Sequence, residues 1–205
     1  MINEVDLKRF YFELDENKPI EVIINQHDAD DEGWFDMHYE LEIGVITKGR
    51  MKREYFNYDM EIGLGEIWLC NLWEPHGFEI LEAPCEVIVF VIDPTYLAHS
   101  KFLNRKVMDA FNASPALRPK ISSAKRSEVL DLSAKMKKQF ALREDADWAK
   151  LYLFELLLHL TESWEAPKNQ STESRDSIHA ALRLIFDEKR LITTEEAASV
   201  CNLSV

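Results

Sequence analysis

The chain has 205 residues, 46 % of them apolar, which is enough for one large domain or two small ones and argues against disorder. Its net charge of −13 is uneven. Residues 1–100 hold 7 Lys+Arg against 22 Asp+Glu and the remainder 17 against 15, so the front half repels polyphosphates and a boundary is expected near residue 100.

No run approaches the ~20 apolar residues of a membrane span. The opening MINEVDLKRF does not read as a signal peptide. The odd, widely spaced Cys70, Cys85 and Cys201 form no CxxC pair, which disfavours a disulfide framework and a structural zinc site and fits a reducing cytoplasm.

Residues 1–98 read as short strands. EVIINQ, HYELEIGVITKG, MKREYFNYDM, EIWLCN and EVIVFVID are rich in β-branched and aromatic residues with partial period-two alternation. Most glycines punctuate these strands, while Gly44 lies inside one. Such spacing implies an antiparallel sandwich or barrel. Asp36, His38 and Glu42 share one parity, so a strand can aim all three into one cavity, and His76 follows on a later strand. Two imidazoles and two carboxylates suit a divalent metal such as Zn, Ni, Fe or Mn. The other reading has them hydrogen-bonded to one another, to backbone or to an organic ligand.

Trp34, Phe35, Tyr39, Trp68, Trp73 and Phe78 lie in or beside the same strands and serve as core, as the wall of a ligand pocket, or as both. Arg50, Lys52 and Arg53 are read as solvated, with contact to an anionic ligand or a neighbouring domain as the alternative. His27 and the acidic run after it are read as a surface loop, because their spacing is not that of a calcium loop.

The pattern turns helical over residues 99–164. Val129, Leu132, Met136 and Phe140 form a stripe within 123–142, whereas 147–164 is apolar on nearly every face and needs cover on more than one side. Residues 165–176 are polar and breaker-rich, a linker. In 177–205, Thr193 and Glu196 have capping-box spacing before a small-residue helix.

DMHYELEIGVITKG followed by GLGEIWLCNLWEPHGF resembles the cupin sensor domain of AraC-type (AraC/XylS) transcriptional regulators. The ending IHAALRLIFDEKRLITTEEAASVCNLSV resembles the start of that family's helix-turn-helix DNA-binding domain. The resemblance implies an α+β, mainly β fold: an N-terminal double-stranded β-helix (cupin) barrel followed by a helical dimerisation region. It implies a cytoplasmic, non-enzymatic homodimer that binds a small-molecule effector. Asp36, His38, Glu42, Trp68, Trp73 and His76 are the ligand-binding candidates, and Asp36, His38, Glu42 and His76 the metal candidates. It also implies that the chain stops where the base-reading helix would begin, so that DNA is bound only by a longer protein. Asp36 departs from the histidine usual in metal-binding cupins, and the runner-up reading is a metal-dependent cupin enzyme acting on a small polar substrate.

Overall fold

In a computed structural model, residues 7–29, 33–100, 106–142, 145–167 and 192–201 are described, together with Ala181 and Leu184. The chain divides into two units, Met1–Ala166 and Pro167–Val205.

The first unit is mainly β, with a cupin-like barrel followed by helices. Its strands are β1 (Leu7–Arg9), β2 (Ile20–His27), β3 (Phe35–Met37), β4 (Leu41–Tyr55), β5 (Tyr58–Gly63), β6 (Ile67–Cys70) and β7 (His76–Ile92). The helices are α1 (Pro94–His99), α2 (Lys106–Asn112), α3 (Arg126–Leu142) and α4 (Ala146–Thr161).

The long strands β4 and β7 pair antiparallel from Leu41↔Ile92 to Tyr55↔His76, with bulges between Ile46 and Met51. The bulges bend the pair, so one ribbon serves both layers of the barrel. One layer runs β2–β7–β4–β6 and the other β1–β3–β7–β4–β5. Gly49, expected to end a strand, instead sits within β4 at φ 72°. The segment MKREYFNYDM, expected to be one strand, is a hairpin that turns at Phe56–Asn57 and pairs Tyr55 with Tyr58.

The first half of β4 is buried on both faces, which is why its sequence shows no clean alternation. Leu41, Ile43 and Val45 pack with Phe90, Val129, Leu132, Leu153 and Leu157 in a core shared by sheet and helices. Ile46, with Trp68, Cys70 and Val87, belongs to a second core inside the barrel. The helices therefore cover the outside of one layer.

The stripe Val129, Leu132, Met136 is buried on α3, and Phe140 packs partly against the same core. The α4 helix buries Ala149, Tyr152, Leu153, Leu156, Leu157 and Leu160, and leaves Trp148, Leu151 and Leu158 exposed at 37 %, 53 % and 50 %. The barrel and its neighbouring helices thus cover one side of this largely apolar helix.

In the second unit the described helix is α5 (Thr194–Val200). The Thr193 hydroxyl accepts from the Glu196 N–H, and the Glu196 carboxylate accepts from the Thr193 N–H, closing a capping box. Residues 168–176 of the expected linker, and most of the expected start of a helix-turn-helix domain outside α5, lie outside the described residues.

Candidate functional site

A cavity of about 280 Å³ lies inside the barrel, just under the usual range of roughly 300–1,000 Å³ for ligand pockets. Its apolar wall comes from Phe10, Phe12, Ile23, Met51, Phe78, Val87 and Val89. Its polar floor is built by Asp36, His38, Glu42, Arg53 and His76.

Asp36 on β3 pairs directly with His76 on β7. Glu42 on β4 pairs with Cys70 on β6, so their side chains share a face. His38 follows β3 and is fixed by a contact of its Nδ1 with the Glu40 carbonyl at 3.1 Å.

Each floor residue is held from behind. The Trp34 indole donates to Asp36 Oδ2 at 2.7 Å. The Trp68 indole donates to Glu42 Oε1 at 2.6 Å, and Arg53 Nη2 reaches the same oxygen at 3.2 Å. His76 Nδ1 lies 2.7 Å from the Glu74 carbonyl. A carbonyl only accepts, so Nδ1 of each histidine carries the proton and Nε2 faces inward.

The inward atoms converge. His76 Nε2 is 3.1 Å from Asp36 Oδ1 and 3.6 Å from Glu42 Oε2, and His38 Nε2 is 3.4 Å from Glu42 Oε2. Burial opposes ionisation of Glu42, but His76, His38 and Arg53 outweigh it and hold its carboxyl well below the usual range. Burial likewise opposes a charged His76 ring, and Cys70 and Glu42 outweigh it, raising its pKa well above that of a free imidazole. The second acid beside His38, Glu40, is pushed up chiefly by burial.

This arrangement fits a divalent cation. Asp36 Oδ1 is buried and points at the cluster, where its near partner is His76 Nε2 at 3.1 Å. Asp36, His38 and His76 each offer a ligand atom, all within 4.8 Å of one another, and so do Glu42, Cys70 and His76. Both carboxylates and both rings have the outer partners that orient metal ligands.

Asp36, His38, Glu42, Trp68 and His76 all line the cavity, and Trp73 does not. Trp73 sits in the turn between β6 and β7 at φ 51°, its N–H bound to the His38 carbonyl at 2.8 Å. That left-handed residue reverses the chain, and its ring lies 6.0 Å from Tyr39 instead of in the cavity. Of the other aromatics, Trp34 and Phe78 line the wall and Phe35 and Tyr39 do not.

Two residues read as solvated are in the site. Arg53 is 5 % exposed and stacks over Trp68 at 4.8 Å, its positive charge stabilised by Cys70 and Glu42 against the cost of burial. The period-two phase of Met51, Arg53 and Tyr55 was the signal for it. His27 is buried at the end of β2, 4.8 Å from the Phe78 ring, in phase with Ile23 and Asn25 on the same wall.

Gly44 explains how Trp68 reaches Glu42. A Cβ on Gly44 would stand 2.0 Å from the Trp68 ring, so only glycine leaves room for the indole across the β4–β6 ladder.

No protein-family profile and no curated protein sequence matches the chain. Solved structures do. ToxT from Vibrio cholerae superposes with a TM-score of 0.58 at 11 % identity, over 91 % of this chain and 72 % of that one. The AraC-like transcriptional activator CuxR superposes with a TM-score of 0.51 at 14 % identity, over 89 % of this chain and 67 % of that one. This chain shares their fold. The similarity extends through the barrel and its helices, so the helical region belongs to the shared architecture.

Proposed function

We propose that the chain is the effector-sensing and dimerisation part of an AraC-type transcriptional regulator, a cytoplasmic protein without enzymatic activity. The observation that carries this reading is the mostly apolar cavity with a charged floor inside the barrel, set in a fold that matches CuxR over 89 % of the chain. A compact molecule with an apolar body and one polar end suits it. In the longer regulator, effector binding biases a helix-turn-helix domain toward or away from its operator.

Trp148, Leu151 and Leu158 recur at helical spacing on the uncovered side of α4, and the proposal assigns them to a homodimer seam. No described helix is long and apolar enough to cross a membrane.

The test is a thermal-shift screen of small organic acids, sugars and aromatic metabolites, repeated on Val89→Phe, which fills the cavity. Stabilisation by one compound class in the parent and its loss in the variant support the sensor. Equal stabilisation in both places the compound elsewhere and overturns the reading. Light scattering of a Leu151→Glu/Leu158→Glu variant checks the seam, and an unchanged dimer removes α4 from the interface.

The runner-up, a metal-dependent enzyme, is favoured by the ligand atoms of Asp36, His38 and His76, which lie within 4.8 Å of one another. Turnover of a small polar substrate that depends on added metal and is lost in His38→Ala would establish it.

A further inference from the structure

We propose that Cys70 is a thiolate ligand in a divalent-metal centre formed with Glu42 and His76, selective for zinc and similar thiophilic ions over manganese, magnesium or calcium. Sequence spacing leaves the cysteines out of any ligand set. The β4–β6 ladder reverses that by placing Cys70 opposite Glu42, with His76 arriving from the start of β7.

The geometry is that of a ligand set. One ligand atom from each residue lies within 4.8 Å of the others; Cys70 Sγ is 3.6 Å from Glu42 Oε1, and His76 Nε2 is 3.6 Å from the other oxygen, Oε2. Bonds of about 2.0–2.3 Å to a tetrahedral ion imply ligand separations of about 3.3–3.8 Å. The Glu74 carbonyl holds the His76 ring with Nε2 inward, and Trp68 holds the Glu42 carboxylate.

Cys70 is fully buried, and its sulfur lies 3.4 Å from the Arg53 guanidinium and faces Glu42. In the metal-bound state Asp36, Glu42 and a Cys70 thiolate carry three negative charges, which Arg53 and a divalent ion balance once His76 is neutral. On binding, the S–H bond gives way to a sulfur–metal bond, the His76 ring gives up its Nε2 proton to bond the ion, and both protons leave to solvent; no electron is transferred, so redox-inert zinc suffices. Soft sulfur ligation disfavours hard, oxygen-seeking ions.

Two simpler arrangements compete. Cys70 could serve only as a weak S–H donor to Glu42, a role serine would fill. Alternatively the ion sits on Asp36, His38 and His76 alone, with oxygen and nitrogen ligands.

The test loads the whole chain with zinc or cobalt and compares it with Cys70→Ser. Zinc-edge X-ray absorption is expected to show one sulfur at about 2.3 Å. The cobalt form is expected to show a near-ultraviolet thiolate charge-transfer band. Cys70→Ser loses both signatures and binds zinc about tenfold or more weakly in competition with a chelator. A shell of nitrogen and oxygen only, equal affinity in Cys70→Ser, or failure to retain zinc each overturns the proposal; should Cys70→Ser not fold, the parent's spectra decide. The proposal does not rest on the regulator reading, since effector stabilisation of metal-free protein reports on that reading separately.

Discussion

Arg118 Nη2 lies 2.7 Å from Glu74 Oε2, and the Glu74 backbone carbonyl takes the Nδ1 proton of His76 at the same distance. A single guanidinium in the helical region thus fixes the loop that aims a histidine into the cavity. Nη2 also donates to the Phe111 carbonyl, Nη1 to that of Leu69 and Nε to that of Ala113, and the guanidinium lies over the Tyr55 ring at 5.3 Å. Arg118→Ala takes this partner from the half-buried Glu74 carboxylate and from the Phe111 and Ala113 carbonyls, while the Leu69 carbonyl keeps the Tyr55 hydroxyl, and is expected to cost about 1.5–3 kcal/mol. Urea unfolding measures the loss. Arg118→Lys keeps the charge but not the fork and is expected to fall between.

Gly44→Ala tests the seating of Trp68. The new methyl must displace the indole, which takes one donor from Glu42 Oε1 inside the barrel and leaves Arg53 on it. Overpacking of this kind costs about 1–3 kcal/mol. A change in tryptophan fluorescence alongside the lower melting temperature is expected, and an unchanged spectrum would mean that Trp68 stays in place.

Trp68→Phe keeps most of the ring and removes the N–H that binds Glu42 Oε1 at 2.6 Å. Leaving a buried charged acceptor short of a partner is expected to cost about 1–3 kcal/mol, partly relieved because Arg53 still reaches that oxygen. The destabilisation should shrink in a Glu42→Gln background, and a double-mutant cycle reads that coupling.

Acid should loosen the join between barrel and helices. Lys137 on α3 hydrogen-bonds Glu86 on β7 at 2.5 Å and lowers its pKa from the ordinary 4.5. A depressed carboxyl contributes stability that is complete above the ordinary value and lost as pH falls through the lowered one. The pair is partly exposed, so the contribution is under about 1 kcal/mol. Melting temperature followed from neutral pH downward should fall less steeply in Lys137→Met than in the parent.

Thr193→Ala removes the hydroxyl half of the capping box and is expected to cost the α5 helix about 1 kcal/mol. Faster amide hydrogen exchange at Glu196 is the readout. Thr193→Ser should restore protection.

Parity is local, and this made part of the site legible. Asp36, His38 and Glu42 lie in phase, and that phase brings them to one floor together with His76. Parity cannot say which face is inner on a strand buried on both sides. Cys70 therefore read as an isolated thiol and Arg53 as a solvated base, although each obeys the same alternation as its neighbours. Trp73 failed for a different reason. Its left-handed backbone takes the following chain out of the phase of β6.

The sequence by itself determined the mainly β front, the helical back, the capping box at Thr193 and the shared phase of three floor residues, because each depends on neighbours within a few positions. Only the tertiary structure decided the rest. Cys70 meets Glu42 across a ladder between residues 28 positions apart, and Arg118 reaches Glu74 across 44. Such contacts depend on how bulged strands bend and where helices pack, and these long-range choices leave no period in the chain.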